Sequence, residues 1–447
     1  MAILIEPIEA RLRRAGLPAL PRTAWLEIDL DRLSANVAAA RAALPTGVRV
    51  EGVVKADAYG HGARPVAGWL EHAGAVDGLC VATLDEGLDL RSAGLALPIL
   101  VVYPVPPDGA VEAARAGLGV SVGDPVLLQR TLRAIAAPVT GRPPPPLAVQ
   151  AEVETGLGRA GIAPRDLAAV AAAIRSAPGV ELVGLWSHLA APSDATRSAA
   201  QAAVFAGALE AIGRDLGTVE GRRRAVGHLA ATGGLLAASA PAYDSVRLGL
   251  GLYGVLPEGL TPAPEMRPAA AALRPVMSLH ARPVRVADLP AGHGVSYGPS
   301  FETGRPSRIA TLPVGYGDGW PRALSNRAQA LVRGRRVPLV GTVAMDAVMA
   351  DVTDVPGAPV GIDDEFVLLG EQVGPDGTEA ITAGELALSR TTISWEVLTA
   401  MSRRLPRVYH AAAVPVGLRT LTEEVHPWLP TSSSGTETSA TSRSTRS

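Results

Sequence analysis

Short apolar runs recur through the first part of the chain, separated by stretches of helical composition. Strands that alternate with helices pair in parallel, and eight such units are enough to close a (β/α)8 barrel. The pattern therefore predicts an α/β fold with a barrel over residues 32–268, and pattern alone leaves a doubly wound open sheet as the alternative. The runs lie near 49–54, 78–82, 98–102, 118–121, 147–153, 181–186, 224–229 and 244–248.

The character of the sequence changes after about residue 268. Short β-branched segments are bounded there by Gly, Pro and Asp, a spacing that is typical of antiparallel sheets. We predict a mostly antiparallel β domain over 269–425, with one helix near 383–402. The segments that carry this prediction are 308–312, 336–340 and 365–369.

The two ends of the chain differ from both of these regions. Residues 1–21 are predicted to be an N-terminal extension that contains a short amphipathic helix. An alternating strand follows over 23–30, which is a candidate to join the second domain, and Asp31 is expected to cap the next helix. Residues 426–447 are predicted to be a disordered tail, because from Thr431 onward they are almost all Ser, Thr, Gly and Arg.

Composition excludes several classes of protein. Hydrophobic residues make up 47% of the chain and charged residues 19%, which allows a sizeable core. The net charge of −2 predicts no nucleic-acid surface, and the apolar stretches are too short to span a membrane. The single cysteine, Cys80, lies in an apolar run, so we expect a packed side chain and no internal disulfide. We expect no metal site and, without a signal-peptide core, a cytoplasmic protein.

Lys55 is the first candidate for chemistry. It ends an apolar run and opens into the Gly-rich segment 56–62. A lysine in apolar surroundings loses its proton more readily, and the neutral amine can form a Schiff base. A strand-end lysine that simply reaches solvent is the alternative. The neighbouring Tyr59 and His61 favour the functional interpretation.

Other candidates follow the later strands, where the C-terminal face of a barrel collects its chemistry. Arg159 comes after the fifth run and His188 after the sixth. Residues 232–234 follow the seventh run, and residues 247–251 end the eighth. Gly-rich turns after the last two strands are typical of phosphate sites, since backbone amides can face the anion there.

A lysine amine and a phosphate site at one barrel mouth predict pyridoxal 5'-phosphate (PLP) as the cofactor. Tyr59 could add a hydroxyl to the phosphate, and His188 could lie against the ring, with a structural histidine as the alternative. Arg247 is always charged and can only donate, so at the ring nitrogen it would leave that atom unprotonated. Such a site suits removal and return of a proton at Cα and discourages transamination. A surface salt bridge is the alternative for Arg247.

The segment 54–62 closely resembles the cofactor-lysine motif of alanine racemases. This motif and Val295–Gly298 are specific, and the likeness covers roughly residues 23–410 in family order. It continues in the segments 24–30, 155–159, 246–249, 252–254, 295–298, 315–319, 341–346 and 404–409.

The resemblance implies PLP-dependent interconversion of L- and D-alanine, which supplies D-alanine for peptidoglycan. It also implies a head-to-tail homodimer in which Tyr297 of one subunit enters the barrel mouth of the other. Lys55 and Tyr297 would then act as two bases on opposite faces of the amino-acid substrate. His188 and Arg247 would form the cationic network that a tyrosine base needs.

The same likeness assigns binding roles to further residues. The substrate carboxylate would be held by Arg159 and the backbone of Met345, and Tyr316 would line the entrance. The phosphate would be held by Tyr59, Thr232, Gly249 and Leu250.

Three residues depart from the family pattern. Glu152 stands where many members carry a lysine that becomes carbamylated and orients the carboxylate-binding arginine. A glutamate supplies negative charge without carbon dioxide, so either that role survives in altered form or substrate preference shifts. Ala231 replaces a usual asparagine before the phosphate-binding hydroxyl, and Trp395 replaces a frequent tyrosine.

The predicted function is therefore an amino-acid racemase that acts on alanine. A broad-specificity or serine racemase of the same fold is the first alternative. Related basic-amino-acid decarboxylases need a cysteine in the second domain, which this chain lacks. A non-catalytic PLP-binding protein is the alternative from another class, but single-domain barrels of that kind lack the β domain and Tyr297.

Overall fold

A computed structural model describes residues 6–138, 140–212 and 226–429. Its strands form one eight-stranded and one twelve-stranded sheet over these residues. None of the helices in these ranges combines the length and the apolar character needed to cross a membrane.

The eight-stranded sheet is parallel throughout and carries the barrel. Its strands, in spatial order, are β8 (Val226–His228), β7 (Val180–Trp186), β6 (Leu147–Glu152), β5 (Gly119–Val122), β4 (Ile99–Val101), β3 (Gly78–Val81), β2 (Arg49–Val53) and β9 (Ser245–Leu248). The first and last strands of that order also meet, because the Asp244 amide donates to Gly227 O at 2.9 Å and the Arg247 amide donates to Ala230 O at 3.0 Å. The sheet therefore closes, which confirms the predicted barrel and excludes the alternative of a doubly wound open sheet.

Helices cover the outside of these strands, which explains why the strands are apolar on both faces. Every residue of β3 and of β9 is buried. The helices of this region span Leu30–Ala42, Ala63–His72, Leu84–Ser92, Ala110–Arg115, Pro125–Ala136, Leu167–Ser176, Ala195–Ile212, Thr232–Leu236 and Arg267–Ala272.

The twelve-stranded sheet is mostly antiparallel and contains the first strand of the chain, β1 (Ala24–Asp29). β1 lies between β10 (Met277–Ala281), with which it is antiparallel, and β18 (Arg407–Ala411), with which it is parallel. The remaining strands all follow the barrel in the sequence, while the domain boundary at 268 stays a prediction. They are β10 (Met277–Ala281), β11 (Arg285–Leu289), β12 (Ser307–Leu312), β13 (Gln329–Val332), β14 (Arg335–Val340), β15 (Val348–Asp351), β16 (Phe366–Gly374), β17 (Gly377–Ile381), β18 (Arg407–Ala411), β19 (Val414–Arg419) and β20 (Glu424–Val425).

Two local predictions were wrong. Asp29, not Asp31, caps the helix Leu30–Ala42, since its carboxylate accepts from the Arg32 amide. The helix expected near 383–402 is two helices, Ala383–Ser389 and Ser394–Thr399, because Thr391 between them has a positive φ of 57°.

The helix predicted within residues 1–21 is present, whereas the C-terminal end differs from expectation. A helix spans Ile8–Arg14 and packs its buried Ile8 and Leu12 against β1 and β18. The predicted tail is wrong at 426–429, because the Trp428 indole donates to Pro65 O at 3.0 Å. Residues 430–447 lie outside the described part of the chain.

Candidate active site

A cavity of about 480 Å³ opens at the C-terminal ends of the barrel strands. The eight site residues predicted in the barrel all line it: Lys55, Tyr59, Arg159, His188, Thr232, Arg247, Gly249 and Leu250. The three predicted in the second domain do not line it and are exposed: Tyr297 at 72%, Tyr316 at 43% and Met345 at 52%.

Lys55 begins a turn, residues 55–60, whose backbone is left-handed. Four successive residues that are not glycine, Ala56 to Tyr59, have φ between 50° and 54°. The left-handed region costs such residues about 1–2 kcal/mol each. The turn therefore has to be held by contacts from outside, and it places Lys55 at its start and Tyr59 at its end on the same cavity.

The electrostatic surroundings of Lys55 favour a neutral amine. Partial burial lowers the pKa of its ammonium, and the nearby charge of Arg159 lowers it further. Lys55 thus loses its proton more readily than a solvated lysine, which a nucleophilic or basic lysine requires.

Arg247 lines the cavity and is 4% exposed, and its hydrogen-bond partners among the described residues are two neutral histidine rings and backbone carbonyls. It donates to Ser187 O at 2.7 Å and to the ring nitrogen Nδ1 of His188 at 3.3 Å. Its guanidinium lies 4.9 Å from the centre of the Trp186 ring, a cation–π distance. These contacts fix the orientation of the guanidinium without neutralising its charge.

His228 makes a short contact with Arg247 between its Nδ1 and the guanidinium, and it does not line the cavity itself. Since arginine can only donate, Nδ1 must accept and the proton resides on Nε2. Nε2 donates to Gln150 Oε1 at 2.6 Å. Burial, together with the charge of Arg247, holds the pKa of His228 well below its usual value. Sequence reasoning missed His228, although its place at the end of a barrel strand was a usable signal.

His188 is neutral as well. Burial and the charge of Arg247 lower its pKa to about 3. The cationic network inferred for a tyrosine base therefore reduces to Arg247 here, with His188 as a neutral acceptor beside it.

Thr232, Gly249 and Tyr59 lie close together on the wall of the cavity. The Thr232 hydroxyl accepts from the amides of Gly249 and Gly251, both at 3.1 Å. Its two lone pairs are thus occupied and its own hydrogen is free to donate into the cavity. The Gly249 amide is directed at Thr232, so its expected bond to a phosphate is not free to form in this arrangement. A methyl group at Gly249 would lie 3.0 Å from the Tyr59 hydroxyl, so glycine gives that phenol its room.

Arg159 is paired with Glu152. Its Nη2 donates to Glu152 Oε1 at 3.2 Å, and the glutamate is 3% exposed while the arginine is 39% exposed. Burial raises the pKa of Glu152, and Arg159 opposes that rise. The Arg159 guanidinium also lies 5.7 Å from the centre of the Tyr103 ring. Sequence reasoning missed Tyr103, an aromatic residue just beyond the end of β4.

The other two departures from the family pattern are also at the cavity. Ala231 and Trp395 both line its wall. Ala231 precedes the helix Thr232–Leu236 and supplies no side-chain cap. Cys80 lines the wall too, buried as expected, and donates to the Glu51 carboxylate at 3.4 Å.

Comparison with known proteins finds alanine racemases over both the barrel and the second domain. The family models "Alanine racemase, N-terminal domain" and "Alanine racemase, C-terminal domain" match residues 28–257 and 276–409. An alanine racemase from Sorangium cellulosum is 40% identical over 390 residues, which cover 86% of this chain and 98% of that protein. One from Symbiobacterium thermophilum is 40% identical over 391 residues, with 87% and 97% covered.

Solved structures agree. An alanine racemase from Bacillus anthracis superimposes with a TM-score of 0.78 at 30% identity, covering 90% of this chain and 99% of that one. One from Streptomyces lavendulae gives a TM-score of 0.74 at 34% identity, covering 88% and 98%. These matches confirm the family that the motifs predict: the chain belongs to the alanine racemase family.

Proposed function

We propose that this protein interconverts L- and D-alanine with PLP bound at Lys55, using Lys55 and Tyr297 of the partner subunit as its two bases. Family membership supports the reaction. The structural observation that carries the proposal is the convergence of Lys55, Arg159 and Arg247 on one cavity. The D-alanine produced would supply peptidoglycan.

The residues around the cavity fit PLP at three points. Lys55 offers an amine with a lowered pKa for the covalent link. Arg247 offers a cation that can only donate, suited to an unprotonated ring nitrogen. Thr232 offers a free hydroxyl hydrogen to the phosphate, and Tyr59 lies beside it.

When bound, PLP would supply a conjugated ring that stabilises negative charge at Cα of the amino acid. Arg247 would limit that stabilisation by keeping the ring nitrogen unprotonated. A proton removed from Cα would then be returned quickly, which favours racemisation over transamination.

Lys55 would remove or return the Cα proton on one face of the amino acid. Tyr297 of the partner subunit would do so on the other face, with the roles exchanged in the reverse reaction. Arg159, held by Glu152, would orient the substrate carboxylate together with the backbone of Met345. Tyr316 would line the entrance.

A shared site requires a head-to-tail homodimer. The high exposure of Tyr297, Tyr316 and Met345 supports this, because they lie outside the cavity of their own subunit. Large apolar side chains exposed together are typical of an interaction surface.

The cofactor is tested by the visible absorbance of the purified protein and by exchange of solvent deuterium into Cα of L- and D-alanine. Lys55→Ala should abolish both. Bound PLP with no exchange on any amino acid would contradict the racemase and favour a cofactor-binding protein. Faster exchange on serine than on alanine would favour the broad-specificity alternative.

The two bases are tested by mixing inactive subunits. Lys55→Ala and Tyr297→Phe are co-expressed with different tags, and the mixed dimers form one intact site each, from Lys55 of one chain and Tyr297 of the other. Random pairing predicts recovery of about a quarter of wild-type activity. Isolated mixed dimers without activity would contradict the shared site, provided that each variant retains its fold by circular dichroism.

A further inference from the structure

We infer that three side chains of the second domain, Arg407, Tyr409 and Arg419, hold the left-handed turn 55–60 and thereby position Lys55 and Tyr59 for the cofactor. This inference rests on the proposed function. None of the three lines the cavity, so they are positioning residues and not catalytic ones.

Arg419, from β19, holds the middle of the turn. Its Nη1 donates to both carboxylate oxygens of Asp57 at 2.8 Å, and its side chain is 7% exposed. Asp57 Oδ1 also accepts from the Ala63 amide at 2.8 Å, so the same carboxylate ties the turn to the helix that follows. The arginine of this ion pair is shielded from water while the Asp57 side chain is 27% exposed, so the pair is partly buried and stronger than a fully exposed one.

Arg407 and Tyr409, from β18, hold the end of the turn. Arg407 Nε donates to Gly60 O at 2.8 Å, and the Tyr409 hydroxyl donates to His61 O at 2.9 Å. Both side chains are almost fully buried, at 1% and 0% exposure. Their donors therefore have these carbonyls as fixed partners.

The turn needs such partners because Ala56, Asp57, Ala58 and Tyr59 all prefer right-handed or extended backbone. If the contacts are lost, the turn can relax toward those conformations. Relaxation would change the separation and direction of Lys55 and Tyr59, which flank the strained residues. The predicted covalent link and one predicted phosphate contact would be disturbed together.

The test compares Arg419→Met with Glu424→Gln. Glu424 is the other acidic partner of Arg419, at 2.7 Å, and within the described part of the chain it makes no hydrogen bond to the turn, so its variant is the matched control. Arg419→Met should raise the dissociation constant for PLP about tenfold, whereas Glu424→Gln should change it by less than about twofold. Because one guanidinium nitrogen makes both bonds to Asp57, Arg419→Lys should restore most of the affinity.

Two further readouts separate positioning from general damage. In cofactor-free Arg419→Met, hydrogen exchange should increase at the amides of residues 58–63 and remain unchanged in the barrel strands. In the loaded enzyme, the visible circular dichroism of bound PLP should change and kcat should fall, while KM for alanine stays within about twofold, because Arg159 is not part of the turn.

Tyr409→Phe provides a second variant in case Arg419→Met does not fold. It removes one hydroxyl and keeps the ring, so it should change exchange and affinity in the same direction and by less. The inference would be overturned if Arg419→Met and Tyr409→Phe both kept the wild-type PLP affinity and amide hydrogen exchange. It would also be overturned if Glu424→Gln lost as much PLP affinity as Arg419→Met. A wild-type protein that binds no PLP would instead overturn the proposed function, and the hydrogen-exchange comparison would still test the contacts.

Discussion

Glu152 is a carboxylate whose burial disfavours its charged form. It is almost fully buried, and its hydrogen-bonded cation, Arg159, is itself partly exposed. The raised pKa means that burial outweighs the attraction of the arginine. Glu152 therefore orients Arg159 at the expense of stability, which is a common compromise at functional sites.

Glu152→Gln should stabilise the cofactor-free protein at pH 8. Between the ordinary pKa of 4.5 and its raised folded value, the folded protein holds the proton more often than the unfolded chain. Stability consequently falls as pH rises through that window and stays lower above it. Thermal unfolding should show a gain for Glu152→Gln at pH 8 that shrinks toward pH 5. Glu181→Gln, at an exposed glutamate, should show no such gain; an equal gain in both variants would contradict the explanation.

The same variant should weaken alanine binding. An amide holds the Arg159 guanidinium less firmly than a carboxylate, so KM should rise about tenfold with a smaller change in kcat. Steady-state kinetics in both directions measure this. A fall in kcat with unchanged KM would contradict a role in carboxylate binding.

At the residue scale, the sequence predicted that Lys55, Arg159 and Arg247 share one site, and all three line one cavity, while their individual roles stay predictions. It could not reveal the charge states, because these depend on burial and on neighbours distant in the chain. Arg247 and His228 are an example: the arginine charge and the surrounding core together keep the histidine neutral.

The left-handed turn is the element that the sequence concealed. Positive φ is normally signalled by Gly or Asn, yet Ala56, Ala58 and Tyr59 carry no such signal. Only the glycines that follow, Gly60 and Gly62, indicated that the backbone is unusual there. The hand of the turn is imposed by tertiary contacts, which local propensity does not encode.

Gly62→Ala should destabilise the protein far more than Gly74→Ala. Both glycines have positive φ, 101° and 58°. An added methyl group at Gly62 would collide with the Tyr409 hydroxyl, whereas nothing lies within 4 Å of the equivalent position at Gly74. We expect a loss of about 1 kcal/mol at Gly74 and at least about 3 kcal/mol at Gly62 in urea unfolding. Similar losses would show that Tyr409 yields easily, against the proposed rigidity of the turn.

The start of a helix was the other feature of an element that the sequence predicted incorrectly. Asp29 and Asp31 are both suitable caps by residue type, and only the end of β1 at Asp29 decides between them. Caps depend on where the preceding strand stops, which composition does not determine.

For the whole molecule, periodicity predicted the barrel because its strands are apolar on both faces and regularly spaced. The packing of 426–429 was not predictable from composition, because Trp428 and Leu429 are isolated apolar residues beside a polar tail. Their role depends on a surface that the barrel provides.

A buried charge network at β1 should make global stability depend on pH. Burial opposes protonation of His280, but Glu27 and the hydrogen bond to Glu365 outweigh it and raise its pKa. The resulting stability is fully present below the ordinary value of 6.5 and is lost as pH rises through the raised folded value. His280→Gln should flatten the decline in unfolding free energy above pH 6.5. The control is His293→Gln, at an exposed histidine, which should leave the decline as it is; an unchanged decline in His280→Gln would refute the assignment.

The position of β1 also governs the order in which the molecule can be completed during synthesis. The earliest strand to leave the ribosome fills the gap between β10 and β18, and these two appear only after the whole barrel has been translated. Contacts between residues so distant in sequence form late. The barrel can therefore fold before β10 and β18, the strands that pair with β1, have been synthesised. A fragment that begins at residue 276 would carry two half-sheets with nothing to join them. The second domain is therefore contiguous in space but cannot be separated as a single piece of chain.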